Sequence, residues 1–298
     1  ENFATDGVIW VKTASQSAYR STDRGQTWHK ATTWMPSIAF ISRRGGSSGI
    51  YLTNRDGSQA RRITAEEVNA RNPHWAPEDN WLCFDSDHEG NAEIYVIQPD
   101  GYGLARLTDD PAEDTDPVWS PVGDRIAFVS TRDGNQEIYL MEADGANPVR
   151  LTDHPANDRQ PAWSPDGTRV AFTSDREGQD DIYIMDWKTG DVARLTNDPA
   201  QDTQPAWSPD GRWIAFVSDR RGDADIFIVR PDGTELTQLT HGSAAEQSPA
   251  WAPDSNTLVI ASDRSGVFQL YELNLKGGNW RRLTMDAYAN TSPAWVHK

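Results

Sequence analysis

The stretch that decides the fold is Pro161-Ala162-Trp163-Ser164-Pro165-Asp166-Gly167. Its Pro-x-Trp core returns every 44 residues, with the tryptophans at Trp75, Trp119, Trp163, Trp207, Trp251 and Trp295. Two further markers keep the same spacing, a Leu/Ile-Thr pair such as Leu195-Thr196 and an Ile-Tyr-like pair such as Ile182-Tyr183. Three markers in phase identify a chain built from internal repeats.

One repeat contains the pattern of four short strands. The first strand begins at Pro161, and Ser164-Pro165-Asp166-Gly167 has the composition of the hairpin turn that follows it. Three more apolar runs, at residues 170–173, 182–185 and 192–196, are separated by turn residues. Four antiparallel strands in about 44 residues is the size of one blade of a β-propeller.

The two ends of the chain complete one blade together. Residues 31–74 align with the later repeats from Ile38 onward but lack the Pro-x-Trp strand, and residues 292–296 are that strand alone. We therefore predict an all-β, six-bladed propeller over residues 31–298, closed by the C-terminal strand. Each repeated tryptophan should wedge between neighbouring blades, and each proline should lie beside the central channel, where a strand edge needs no partner.

The repeat resembles the WD-like repeat of TolB-type propellers. The resemblance rests on Trp163-Ser164-Pro165-Asp166-Gly167 with Ser174-Asp175-Arg176, and on Trp207-Ser208-Pro209-Asp210-Gly211 with Ser218-Asp219-Arg220. It covers about residues 37–298. TolB carries a separate N-terminal domain, whereas about 30 residues precede the ring here, so the resemblance implies the propeller and not the TolB role itself.

The first 30 residues do not follow the repeat. Residues 8–11 and 18–20 have the pattern of strands, and residues 21–28, which include Asp23 and Trp28, match the Asp-box S-x-D-x-G-x-T-W of sialidase-like propellers, where the motif is structural. Only about ten residues lie between Trp28 and Ile38, too few for the inner strand of a seventh blade. We predict a β-hairpin arm over residues 1–30, available for pairing with another strand.

Composition excludes several classes of partner. The net charge of −17 would repel phosphate backbones, so nucleic acid is not an expected partner. No apolar run has the length of a membrane-spanning helix. Cys83, the single cysteine, falls where most blades place alanine, which predicts a small buried core residue.

The sequence contains no convincing catalytic motif. Gly45-Gly46-Ser47-Ser48-Gly49 matches G-x-S-x-G, but it falls in a predicted hairpin turn and not at a strand-to-helix elbow. The histidines occupy unrelated positions of the repeat; they are His29, His74, His88, His154, His241 and His297. We therefore expect no enzyme activity, no metal site and no cofactor, with Ca²⁺ in the channel as a possibility that no dedicated calcium-loop spacing supports.

Acidic residues recur immediately before the Ile-Tyr-like pair, at Glu93, Glu137, Asp181 and Asp225. Because a catalytic residue normally occurs once, this recurrence predicts a structural role. We expect these carboxylates to bond the nearby turn or to pair with Arg132, Arg176 or Arg220.

Polar residues that differ between blades precede the Pro-x-Trp strands and should surround one mouth of the channel, the default location for a binding site. The predicted site consists of Arg71, Asn72, Asp114, Asp116, Asp158, Arg159, Gln160, Asp202, Gln204, Glu246 and Gln247.

These observations favour a non-catalytic binding or scaffold protein that acts outside the cytoplasm, in the periplasm, at the cell surface or in secreted form. Its partner would be another protein or copies of itself. A self-assembling surface or fibre subunit joined through the N-terminal arm is the first alternative. A glycan-binding or glycan-cleaving protein, suggested by the lone Asp-box, is the second.

Overall fold

The computed structural model describes residues 37–78, 80–275 and 280–296 fully, and the backbone of four short strands before residue 37. The chain divides into two compact units, Glu1–Pro36 and Ser37–Lys298. The part of the chain that is described contains no helix long and apolar enough to cross a membrane.

The first unit is a four-stranded antiparallel sheet in the order β1-β2-β3-β4. Its strands are β1 (Asn2–Thr5), β2 (Val8–Lys12), β3 (Ala18–Ser21) and β4 (His29–Ala31). β2 and β3 are the two strands that the sequence predicted, and β1 and β4, short segments without a clear apolar alternation, flank them in the sheet. Asp23 and Trp28 of the Asp-box lie outside the described residues.

The second unit consists of six four-stranded antiparallel sheets. Three strands of the blade that we call the closing blade come first: β5 (Ile38–Gly45), β6 (Ser47–Thr53) and β7 (Arg61–Arg62). Blade 1 contains β8 (Ala70–Trp75), β9 (Leu82–Ser86), β10 (Glu93–Ile97) and β11 (Ala105–Arg106). Blade 2 contains β12 (Asp114–Trp119), β13 (Arg125–Ser130), β14 (Glu137–Glu142) and β15 (Val149–Arg150).

The remaining blades repeat this pattern. Blade 3 contains β16 (Asp158–Trp163), β17 (Arg169–Ser174), β18 (Asp181–Asp186) and β19 (Val192–Arg194). Blade 4 contains β20 (Asp202–Trp207), β21 (Ile214–Ser218), β22 (Asp225–Val229) and β23 (Thr237–Gln238). Blade 5 contains β24 (Glu246–Trp251), β25 (Thr257–Ser262), β26 (Gln269–Asn274) and β27 (Trp280–Arg282), and β28 (Asn290–Trp295) completes the closing blade.

The ring is closed by the last strand. β28 pairs with β5, with Trp295 opposite Ile38 and Asn290 opposite Ser42. The inner strand β28 also contacts the inner strands β24 and β8 of its two neighbouring blades. The six-bladed propeller and its split blade, both predicted from the repeat, are confirmed.

The repeated tryptophans fill the space between blades. Trp163 packs against Ile138 and Leu140 of blade 2 and against Val170 and Phe172 of its own blade. Burial of a side chain of this size removes roughly 200 Å² from water and is a major part of the apolar stabilisation of each blade interface. Cys83 is fully buried, as predicted, and burial raises the pKa of its thiol well above the ordinary value.

Candidate functional site

The residue before each channel proline has a left-handed backbone. In every blade the pairing between the first two strands shifts register at this point, which makes a β-bulge. The six residues and their φ angles are Asn72 (48°), Asp116 (51°), Gln160 (54°), Gln204 (55°), Ser248 (55°) and Ser292 (47°). The bulge directs a ring of mostly polar side chains toward the channel, on the face that carries the blade-to-blade loops, which we call the loop face.

These side chains bond from one blade to the next. The Oε1 atom of Gln160 accepts the amide of Gln204 at 3.0 Å, and the Oε1 atom of Gln204 accepts the amide of Ser248 at 2.6 Å. The side chain of Asn72 also reaches the following blade, where its Nδ2 atom donates to Oδ1 of Asp116 at 2.6 Å. Each of these bonds satisfies polar groups at the channel wall and fixes the orientation of the side chain.

The channel at this level encloses about 350 Å³. Its wall carries Asn72, Asp116, Gln160 and Gln204 on the side of blades 1 to 4. On the side of blade 5 and the closing blade it carries Gln247, Ser248, Thr291 and Ser292. Deeper in the ring the wall is made mainly of proline, alanine and tryptophan side chains. The loop-face mouth is therefore the part of the channel with directional chemistry.

Asp85 is the feature that most clearly breaks the six-fold repeat. It is completely buried in β9, where the other blades place Ile41, Val129, Thr173, Val217 and Ala261. Its carboxylate accepts Nε of Arg71 at 2.8 Å, Nδ2 of Asn72 at 3.0 Å and the amide of Asp116 at 3.3 Å. Burial raises the pKa of Asp85, and these three donors oppose that rise and tie blade 1 to blade 2.

Asp116 lies next to this cluster and lines the channel. Desolvation, followed by the charge of Asp85, raises the pKa of Asp116 to about 7, while the amide of Gln160 and the guanidinium of Arg159 oppose the rise. Asp116 is thus an acidic group that titrates near neutral pH at the mouth of the channel.

Two arginines flank the two carboxylates. Arg71 also reaches Asp87 at 3.0 Å, and Arg159 is held by Asp180 at 2.5 Å. Their side chains remain 38% and 24% exposed, respectively. The mouth therefore presents cations and carboxylates side by side, fixed by ion pairs, on blades 1 to 3.

His74 is a further polar side chain that breaks the repeat. It lines the channel at a position where the other blades have Val118, Ala162, Ala206, Ala250 and Ala294. Its Nδ1 atom accepts the amide of Trp119 at 3.3 Å, which links blade 1 to blade 2. The position of His74 in the repeat was predicted to be unrelated to those of the other histidines. Alignment of the repeats distinguishes both His74 and Asp85, because each replaces a small or apolar residue.

Four acidic residues of the predicted site do not line the channel. Asp114, Asp158, Asp202 and Glu246 are buried at the start of the inner strands, each paired with the arginine of the following turn: Arg132, Arg176, Arg220 and Arg264. We call each such pair an arginine clamp. These carboxylates hold the blade together and are not presented to a partner, because the Ser-Asp-Arg turn folds back over them.

Arg71, Asn72, Asp116, Arg159, Gln160 and Gln204 are brought together at or beside the mouth, and Gln247 also lines the channel.

Of the two roles predicted for the recurrent acids, bonding to the nearby turn is correct and pairing with Arg132, Arg176 or Arg220 is wrong. Glu93 and Glu137 bind the outer strand of their own blade: Glu93 pairs with Arg106 at 2.7 Å and accepts the hydroxyl of Thr108 at 2.6 Å. Asp181 and Asp225 accept hydrogen bonds from the equivalent residues of their own blades. The donors to Asp181 are Arg194 and Thr196, and the donors to Asp225 are Gln238 and Thr240. The predicted bonding to the nearby chain is correct, but Arg132, Arg176 and Arg220 belong to the clamps.

The G-x-S-x-G stretch is part of a hairpin, with Gly46 at the turn between β5 and β6 and its amide bonded to the carbonyl of Arg43 at 3.0 Å. Within the described ranges no group of three or more His, Cys, Asp or Glu side chains is arranged to hold a metal ion.

Replacing Asp116 with asparagine is expected to raise the free energy of unfolding by about 1–3 kcal/mol near pH 7 and to change it little below about pH 4. The folded-state pKa lies above that of the unfolded chain, so between these pH values the folded protein keeps a proton that the unfolded chain has released. That contribution to stability is lost as the pH rises through the folded-state pKa. Urea unfolding at several pH values tests this; an equal effect at both ends of the range would contradict it.

Comparison with known proteins agrees with this architecture. A family model described as "TolB beta propeller domain" matches four overlapping stretches, residues 69–159, 111–197, 158–235 and 203–298. The comparison with curated proteins finds no match.

Solved structures share the fold. TolB from Acinetobacter baumannii superimposes with a TM-score of 0.77 at 20% identity, covering 98% of this chain and 80% of that one. A putative TolB from Agrobacterium tumefaciens gives 0.70 at 24% identity, covering 88% and 92%. Oligogalacturonate lyase from Vibrio parahaemolyticus gives 0.55 at 14% identity, covering 84% and 72%. With the repeat, the closed ring and the family match in agreement, the chain belongs to the TolB beta propeller domain family.

Proposed function

We propose that this protein is a non-catalytic scaffold that binds another protein, or a further copy of itself, at the channel mouth of the loop face. The observation that carries the proposal is the concentration of symmetry-breaking polar groups there. Arg71, Asp85, Asp116 and Arg159 depart from a frame that is otherwise repeated six times, and they gather in one sector of the ring. A rigid frame with one distinctive sector suits recognition of one partner in one orientation.

Binding is favoured over catalysis by the way Asp85 is bonded. Both of its carboxylate oxygens accept hydrogen bonds, one from Arg71 and the other from Asn72 and the amide of Asp116. A carboxylate held by three donors is suited to fixing the geometry of its neighbours and less suited to exchanging protons with a substrate. We accordingly propose that the role requires no cofactor.

The proposed location is outside the cytoplasm, in the periplasm, at the cell surface or in secreted form. Support comes from membership of the TolB propeller family. Assembly through the N-terminal sheet and binding or cleavage of glycans remain predictions of the sequence. The likeness to oligogalacturonate lyase extends to the fold.

Photo-crosslinking in intact cells tests the channel mouth directly. A benzophenone amino acid in place of Gln247, which lines the mouth, is expected to give one discrete protein adduct. The same probe at Val122, a 78% exposed side chain in a turn on the opposite face, is expected to give none.

Two variants add a specificity test. Arg159→Ala combined with Asp116→Asn should abolish the Gln247 adduct, whereas Arg212→Ala, which removes a 72% exposed arginine on the opposite face, should leave it unchanged. An adduct that forms equally from Val122, or that survives the double substitution, would rule out the mouth as the binding site.

A further inference from the structure

The loop face carries a second departure from the repeat, where blade 5 meets the closing blade. We call it the junction surface, and it consists of Arg43, Val267, Phe268, Met285 and Tyr288. Its parts adjoin one another: the amide of Asn290 donates to the carbonyl of Phe268 at 2.9 Å, and Nε2 of Gln269 donates to the carbonyl of Tyr288 at 2.7 Å. Arg44, the neighbour of Arg43, forms an ion pair with Asp286 at 2.9 Å.

At four other blade junctions a side chain in the turn between the second and third strands of the blade accepts the amide of the blade-to-blade loop. The acceptors are Thr131, Asp175, Asp219 and Asp263, and the donors are the amides of Glu113, Asn157, Gln201 and Ala245, at 2.8–3.0 Å. At blade 1 the corresponding Asp87 accepts the side chain of Asn69 at 2.9 Å. An acceptor at this position is therefore part of the repeated frame.

The closing blade has the opposite chemistry at this position. The equivalent residue is Arg43, whose exposed guanidinium donates hydrogen bonds and accepts none, and the equivalent loop residue is Ala289. A donor thus stands where the frame elsewhere supplies an acceptor, and it stands beside a loop whose counterparts donate. The position is suited to a carboxylate that comes from outside the ring.

The loop itself carries two large apolar side chains at positions where its counterparts are polar or smaller. Met285 is 78% exposed and Tyr288 is 50% exposed. At the position of Met285, blades 1 and 2 have Asp109 and Asp153, and at the position of Tyr288 the other intact blades have alanine, at Ala112, Ala156, Ala200 and Ala244. Two large apolar side chains are consequently exposed on the loop whose Asp286 pairs with Arg44, the neighbour of Arg43, on a protein of net charge −17.

We propose that the junction surface binds a protein segment that presents a carboxylate next to an apolar side chain. The carboxylate takes the place of the missing acceptor and bonds the Arg43 guanidinium and the Ala289 amide, and the apolar side chain packs on Met285 and Tyr288. Charge selects this location, because an acidic segment is repelled by most of the remaining surface. The inference goes beyond the channel mouth, and its test does not depend on that site.

The side chain of Met285 provides its own reporter. In protein labelled with ¹³C at the methionine methyl groups, a short peptide with a central phenylalanine flanked by aspartates is expected to shift the Met285 signal. The signals of Met141 and Met185, which are 0% and 2% exposed, should stay unchanged. The same peptide with lysines in place of the aspartates should cause no shift.

Variants that restore the residues of the other blades are expected to weaken binding with little effect on folding. Arg43→Asp, and separately Met285→Asp with Tyr288→Ala, should each reduce the affinity for the aspartate peptide about tenfold in fluorescence anisotropy. Arg221→Asp makes the same charge change at another exposed turn of the loop face and serves as the matched control.

Three outcomes would overturn the proposal: an unshifted Met285 signal with the aspartate peptide, equal binding of the lysine peptide, or equal affinities of the Arg43→Asp and Arg221→Asp variants. Asp116→Asn and Arg159→Ala should leave the affinity for this peptide unchanged, which separates failure here from failure of the proposed channel-mouth function.

Discussion

Replacing Arg176 with alanine is expected to lower the free energy of unfolding by about 3–5 kcal/mol at neutral pH, because it leaves a buried carboxylate without its cation. Arg176 donates to both oxygens of Asp158 at 2.9 and 2.8 Å, and its Nε atom donates to Ser174 at 2.9 Å. The guanidinium also lies over the ring of Tyr183, 4.6 Å from its centroid. Urea denaturation of the purified protein measures the loss.

The ring supplies a matched control for this clamp. At the same two positions blade 1 has Ala70 and His88 in place of the acid and the arginine. The double variant Asp158→Ala with Arg176→His reproduces that natural pair and should recover most of the loss, since no buried charge is then left unpaired. A double variant as unstable as Arg176→Ala would contradict this account.

The loss should also depend on pH. Burial raises the pKa of Asp158, and Ser174 and Arg176 oppose that rise. Without Arg176 the folded-state pKa is higher still, so the folded protein protonates Asp158 before the unfolded chain does. The destabilisation should therefore shrink as the pH falls toward about 4.

Trp163→Ala and Trp295→Ala should each lower the free energy of unfolding by about 3–5 kcal/mol, and by similar amounts. Trp163 lies between two intact blades, and Trp295 lies between blade 5 and the closing blade, near the end of the chain. In a closed ring the two positions are equivalent, whereas a frayed last strand would make Trp295 much less important. Parallel urea titrations of the two variants test this; a loss for Trp295→Ala below half that for Trp163→Ala would contradict a closed ring.

The six-bladed ring could be predicted from the sequence because the same sequence pattern occurs six times. One Pro-x-Trp unit is a weak signal, but its recurrence in phase with Leu/Ile-Thr and Ile-Tyr fixed the number of blades and the split blade. The N-terminal sheet lacks this redundancy. Its outer strands, Asn2–Thr5 and His29–Ala31, are too short and too polar to show a periodic pattern.

The candidate site was predicted only in part, because position in the repeat indicates which residues lie near the mouth but not which of them are buried. Residues before the Pro-x-Trp strands were expected at the mouth, and Asn72, Asp116, Gln160 and Gln204 do line it. The burial of Asp114, Asp158 and Asp202 could not be derived from spacing alone, because it depends on the bulge and on which turn folds over the strand end. Asp85 was not predicted, because it lies within a core strand and not among the residues that precede the Pro-x-Trp strands.

The split blade also affects folding during synthesis of the chain. The strand that covers the edge of β5 is made long after β5 itself, because Arg44 and Asn290, which bond in the finished ring, are 246 residues apart. At a synthesis rate of about 5–20 residues per second, the edge of β5 waits roughly 10–50 s for its partner. During that interval an apolar strand, Ile38 to Ile41, is open to pairing with other chains. If the strand that contains Trp295 is missing or delayed, the expected result is aggregation of the nascent chains.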